Sequence, residues 1–224
     1  ANNQSELLMK IEQPLSKVLA SMENIGFLVD RQGLEKYGDE IETELKKIEV
    51  SIHSLAGEEF NVNSPRQLGS ILFEKLKLPY GKKGKTGYST SAQILEKLSG
   101  EHKIVDEILK YRSLSKLKST YCDGIIKLIQ SDGRVRSSFN QTETRTGRIS
   151  SSEPNLQNIP VRTEKGRQLR KFFKAPEGYV LIDADYSQIE LRVLAHVSQD
   201  KNMINAFKNG EDIHAITASQ IMGV

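Results

Sequence analysis

Apolar residues return every three or four positions through most of the first 130 residues, the period of helices with one buried face. Leu8, Ile11, Leu15, Val18, Leu19, Met22 and Ile25 predict an amphipathic helix over residues 5–26, stopped at Gly26. Asp30 opens a longer helix to about Ala56, with Leu34, Tyr37, Ile41, Leu45, Ile48 and Ile52 on one stripe. Its other face carries Glu and Lys at four-residue spacing, a solvated surface whose pairs contribute about 0.2–0.5 kcal/mol each. Ser64-Pro65 places a cap before a first-turn proline and starts a shorter helix through Leu76. Thr90 or Ser91 caps another. Ile104, Ile108, Tyr111, Leu114, Leu117 and Tyr121 then mark a helical region from Glu101 to Gln130. Ser131-Asp132-Gly133 reads as a turn.

From Arg134 the pattern shortens to strand-like pieces between polar loops. Tyr179-Val180-Leu181-Ile182 is an apolar, β-branched and aromatic run that predicts a buried strand. From Ser187 the spacing is helical again, through Ile189, Val193 and Val197, so Asp185 is expected where a strand ends and a helix begins. A carboxylate there can hold Mg2+ at about 2.0–2.1 Å. Asp200 caps a further short helix to Phe207, Gly210 breaks the chain, and Glu211-Asp212-Ile213-His214 opens a last helix ending at Met222.

Composition narrows the class. With 224 residues, 37% of them hydrophobic and 27% charged, the chain has the make-up of an ordinary globular protein, and no apolar run approaches a membrane span. Neither a basic nor an apolar leader is visible at the N-terminus, and the single cysteine, Cys122, excludes an internal disulfide, so a cytoplasmic setting is expected. Net charge is only +3, but its distribution is uneven. Between Arg145 and Lys174 eight bases stand against two acids, Glu153 and Glu164, an excess that favours a phosphodiester backbone. Asn155, Gln157 and Asn158 add amide donors for sugar or base edges.

Several stretches admit two local readings. Pro79–Tyr88, with Lys82, Lys83 and Lys85, is either a solvated loop or a basic loop tracking phosphates. The Gly-Lys-Thr within it lacks phosphate-loop spacing. Arg112, Lys116 and Lys118 lie off the apolar stripe, as a solvated face or as phosphate contacts. Ser187-x-x-Glu190 fits a capping box, and Asp185 could simply offset a helix dipole. Asp183-Ala184-Asp185 is similar to the Asp-x-Asp motif of haloacid-dehalogenase-type phosphatases. That motif normally opens its domain and is followed by Thr or Val where Ser187 stands.

Taken as DYSQIELR, residues 185–192 resemble the first carboxylate motif of the A family of DNA polymerases, the bacterial DNA polymerase I family. Thr146-Gly147-Arg148-Ile149-Ser150-Ser151 and Pro154–Arg162 resemble palm segments of the same family, in the same order. The resemblance implies an α+β fold: a helical thumb over residues 1–130, then a partial palm over 131–224 with a short antiparallel sheet and the start of the fingers. It also implies a template-directed DNA polymerase acting in repair linked to replication, a monomer whose partners are primer–template DNA and deoxynucleoside triphosphates. Two Mg2+ ions would serve the complete enzyme, with Asp185 and the backbone carbonyl of Tyr186 as ligands. Ser187, Gln188, Ile189, Glu190 and His214 would meet the nucleotide, Glu190 against its sugar. Arg148, Gln157 and Asn158 would face the minor groove of the primer end, with Asn155, Arg162 and the basic residues named above on DNA. Ala215 stands where many members place a base. The fingers helix and a second catalytic Asp, in a His-Asp-Glu tripeptide, would follow Val224. The chain is therefore expected to be a truncated piece, inactive alone.

Overall fold

The computed structural model of the chain describes residues 4–79, 83–84 and 87–223. They fall into two compact units, Ala1–Tyr179 and Val180–Val224. The first opens with α1 (Ser5–Leu7), a π-helical turn at Leu8–Glu12 and α2 (Gln13–Ile25). Pro14, which has no N–H to give back to the preceding turn, explains the widened ladder there. β1 (Phe27–Val29) leads into the long α3 (Arg31–Ala56). α4 (Pro65–Gly69) continues as a π-helical Ser70–Lys75, and α5 (Ala92–Lys97) precedes α6 (Lys103–Lys116). A π-helical Leu117–Asp123 joins α6 to α7 (Gly124–Leu128). β2 (Arg134–Val135), β3 (Ser138–Asn140), β4 (Ser150–Ser152), α8 (Glu164–Leu169) and β5 (Phe173–Lys174) complete the unit.

The helical stripes read from the sequence are the core. Leu34, Tyr37, Ile41, Leu45, Ile48 and Ile52 of α3 share one buried cluster with Ile104, Ile108, Tyr111, Leu114, Leu117 and Tyr121. Cys122 joins them, and burial pushes its thiol up to about 12, which leaves it an unreactive apolar filler at neutral pH. Ser64 and Asp30 cap as their positions predict, accepting from the amides of Gln67 and Gly33. His102, not an expected cap, accepts from the Ile104 amide and starts α6.

β1 is the middle strand of an antiparallel sheet, between β2 and β5. Asp30 ties that sheet to α3: its amide donates to the Phe172 carbonyl at 2.8 Å, and its carboxylate takes both the Gly33 amide and Lys174 Nζ. The strands share their core with the helices through Val29 and Val135. The face of α2 carrying Val18, Met22 and Ile25 is about half exposed, and only Leu19 is buried.

The second unit contains α9 (Ile189–Ser198), α10 (Lys201–Lys208) and α11 (Ile213–Met222). Ala195 and Ala206 are buried where α9 meets α10, and the Arg192 guanidinium lies 4.5 Å from the Phe207 ring centroid. One expectation is overturned: residues 179–182 form no strand, and Ile182 is 86% exposed. A strand needs a neighbour to take its backbone N–H and C=O groups. Among the described residues none pairs with this run, and its apolar side chains stay in water.

Ile41 and Ile52 are fully buried, so truncating either to Ala is expected to lower unfolding free energy by roughly 2–5 kcal/mol in urea titrations. Asp30→Ala removes a helix cap and should cost about 0.5–2 kcal/mol. Lys174 and the Gly33 amide hold the Asp30 carboxyl below its ordinary 3.8. Its contribution is accordingly complete above that pH and lost as pH falls through the lower folded value. The difference in stability between wild type and Asp30→Ala should therefore shrink below about pH 4.

Candidate nucleic-acid interface

A cleft of about 900 Å3 runs between α6 with its π-helical extension and the segment from Gln157 to Lys165. The far wall is an irregular loop fixed by side chains. Asn155 Oδ1 accepts from the Gln157 amide at 3.0 Å and from Ser151 Oγ at 3.2 Å, which shapes the turn before Leu156–Asn158. Gln157 Nε2 donates to the Ile149 carbonyl at 2.9 Å, and the Tyr121 hydroxyl donates to the Asn158 carbonyl at 2.5 Å. Thr163 caps α8 through the Gly166 amide. A side chain at Gly166 would lie 2.6 Å from Pro160 Cβ, so only glycine lets the loop fold onto that helix. Tyr37 donates to the Lys165 carbonyl at 2.8 Å and secures the end of the wall to α3.

The predicted DNA contacts divide by what already holds them. Lys116 and Arg162 line the cleft with exposed side chains. Gln157 and Asn158 line it too, while Arg148 is exposed and Asn155 sits beside the cleft's end. Lys118 is instead held by Asp123 at 2.8 Å and Glu42 at 3.8 Å, and these carboxylates raise its ammonium above the ordinary range. Arg112 is half-buried and donates to the carbonyl and hydroxyl of Thr90, bracing the loop before α5. Lys83 pairs with Glu74 at 3.0 Å and lies 4.4 Å from the Tyr88 ring centroid. Lys82 and Lys85 lie outside the described residues.

Sequence reasoning missed Lys110 on this cleft and Glu44 behind it. Lys110 and Lys165 line it, and both reach Glu44 of α3. Lys165 chiefly, with Lys110, holds the Glu44 carboxyl below the usual range against the opposing effect of burial. Lys165 fell within the counted basic run. Nothing local links Glu44 to either lysine, because the three stand on different elements.

In the second unit Asp185 and Tyr186 are exposed, the tyrosine at 79%. The capping box is not formed. Gln188 takes the N-cap position in a left-handed conformation (φ 50°) with no side-chain cap, and the Ser187 carbonyl accepts from Arg192 Nε at 2.9 Å. Gln188 Nε2 reaches Asp212 Oδ1 at 3.4 Å. Ile189 and Glu190 form the exposed first turn of α9, and His214 lies in the first turn of α11, its side chain outside the described atoms. Among the described residues no three metal-capable side chains cluster. Asp185 suits Mg2+ in kind, since that ion is usually held by one or two carboxylates with water and phosphate, but it supplies only part of a shell.

Residues 31–224 match the family model described as DNA polymerase family A. The chain is 56% identical over 219 residues to DNA polymerase I of Caldicellulosiruptor bescii, and 54% over 225 residues to that of Geobacillus stearothermophilus. It is 97% and 100% covered by these matches but spans only 26% of each relative's length. A solved structure, the POL domain of Pol1 from M. smegmatis in complex with DNA primer-template and dNTP, superposes with a TM-score of 0.89 at 42% identity. That match covers 99% of this chain and 40% of the other.

The engaged and free cations should separate in a salt titration of duplex binding followed by fluorescence anisotropy. Lys116→Ala is expected to reduce the slope of log affinity against log salt by about 0.9, the value of one phosphate contact. Lys118→Ala should leave that slope unchanged, because Asp123 already occupies the ammonium.

Proposed function

Because the chain belongs to DNA polymerase family A, we propose that it forms the primer–template-binding part of a template-directed DNA polymerase and contributes Asp185 to nucleotidyl transfer. The observation that carries this reading is the cleft, whose free cations and fixed amides line one groove. The solved relative bound to DNA primer-template and dNTP lends support.

In this reading Lys116 and Arg162 take backbone phosphates, and Arg148, Gln157 and Asn158 meet the minor groove beside Asn155. Acceptors there are shared by all four base pairs, so such contacts test pair shape without reading sequence. Lys82, Lys83 and Lys85 take further phosphates of the duplex backbone. Ser187, Gln188, Ile189 and His214 face the incoming nucleotide, and Glu190 lies against its sugar. The Asp185 carboxylate and Tyr186 carbonyl would hold Mg2+, which would supply Lewis-acid activation of the 3′-hydroxyl and charge neutralisation at the pyrophosphate. The protein's own part is positioning: fixed cations orient the phosphates, and exclusion of a misshapen pair keeps the hydroxyl out of line.

In this reading the chain by itself binds DNA without synthesis. It offers one carboxylate of the metal site, and a monomer of the longer cytoplasmic enzyme would supply the rest. Primer extension with Mg2+ tests both statements. The isolated chain is expected to add no nucleotide. In a longer polymerase bearing this segment, Asp185→Ala should lower the extension rate by about 10³-fold, equivalent to roughly 4 kcal/mol, with duplex affinity nearly unchanged. Full synthesis by the Ala variant would sink the assignment.

A further inference from the structure

Glu44 stands in the ion-pair network at the cleft wall, and its two carboxylate oxygens are divided between two cleft lysines. Oε1 pairs with Lys110 Nζ at 3.1 Å and Oε2 with Lys165 Nζ. The three residues stand on α3, α6 and α8, elements already fixed by the shared core and by the bond from Tyr37 to the Lys165 carbonyl. The helices would therefore stay together without the ion pairs. Glu44 is partly buried at 27% side-chain exposure, while Lys110 and Lys165 are 55% and 42% exposed, so the lysine heads face the cleft and the carboxylate sits behind them.

We propose that Glu44 is a positioning residue that withholds Lys110 and Lys165 from DNA, so that the cleft grips the duplex through fewer phosphates than its lysine count suggests. This rests on the reading of the cleft as a duplex-binding groove. The physical ground is competition. An ammonium shared with a fixed, half-desolvated carboxylate has its charge compensated, and a phosphate that takes it leaves that carboxylate unpaired. Each cation released to phosphate steepens the salt dependence and slows movement along the backbone. A polymerase groove must hold its template and still let it pass, and Glu44 sets that balance by subtracting two contacts.

The test is anisotropy of a fluorescent DNA duplex of about 20 base pairs titrated with the 224-residue chain across a salt series. Glu44→Gln keeps the shape and removes the charge. It is expected to tighten binding roughly tenfold at low salt and to steepen the log–log slope by up to about 1.8, two phosphate contacts, with the gain fading as salt rises. Glu44→Asp should stay near wild type. A Glu44→Gln chain that is merely less stable, with the wild-type slope, overturns the proposal. If Glu44→Gln does not fold, Lys110→Gln/Lys165→Gln decides. The proposal expects the wild-type slope, because those lysines were not contributing, and a fall of about 0.9 or more refutes it. Wild-type chain that binds the duplex without salt dependence would overturn the groove reading as well, whereas salt-dependent binding indifferent to Glu44 sinks this inference alone.

Discussion

Two helices remote in sequence, α3 and α6, bury Leu34, Ile41 and Ile52 with Ile104 and Ile108 in one cluster, and the polar features of the cleft hang on that seam. Burial is non-directional and needs only apolar area, so it brings the helices together but does not choose what their outer faces carry. Once the seam is closed, Glu44 on one helix and Lys110 on the other must meet. Tyr37 and Tyr121 extend from the same seam to the carbonyls of Lys165 and Asn158. An otherwise irregular loop thereby becomes a wall of fixed shape. Rigidity of that kind is what a groove needs if it is to sense the shape of a base pair, since a loop free to yield would accept any pair.

Charge on the cleft is sorted more finely than composition suggests. A count of lysines and arginines treats every cation as available, yet Arg112 braces a loop, Lys118 is paired twice, and Lys83 is shared between a carboxylate and a ring. Of the cations lining the cleft among the described residues, Lys110 and Lys165 share Glu44, while Lys116 and Arg162 stand on opposite walls. Binding of a polyanion depends on the number of such contacts and not on net charge. In the proposed reading, a chain of modest net charge holds DNA at chosen points.

How much of this was readable from the residues depends on whether the signal is local. The stripe from Leu34 to Ile52 and the caps at Asp30 and Ser64 are decided within one or two turns, and the structure follows them closely. The run Tyr179–Ile182 has every strand signal, but a strand is completed by a partner, and its own residues cannot provide one. The box at Ser187 and Glu190 fails for a related reason: a left-handed Gln188 shifts the helix start by one residue, and the spacing then no longer matches. At the cleft, Gln157 and Asn158 were singled out because amides and bases cluster along one stretch, and both line its wall. Glu44 was not, since its meaning arises only when three elements are brought together.

The π-helical turn at Leu117–Asp123 closes hydrogen bonds across five residues instead of four, and so stacks side chains that an α-helix would scatter. Lys118 and Asp123, five apart, form an ion pair by virtue of that stacking. One residue more or less in a helix turns all that follows by about 100°. Deleting a single residue here would restore the tighter coil and, in one stroke, liberate an amine and swing the Tyr121 phenol off the Asn158 carbonyl. Grip and gauge in this groove are wound on the same spindle, and neither can be retuned without disturbing the other.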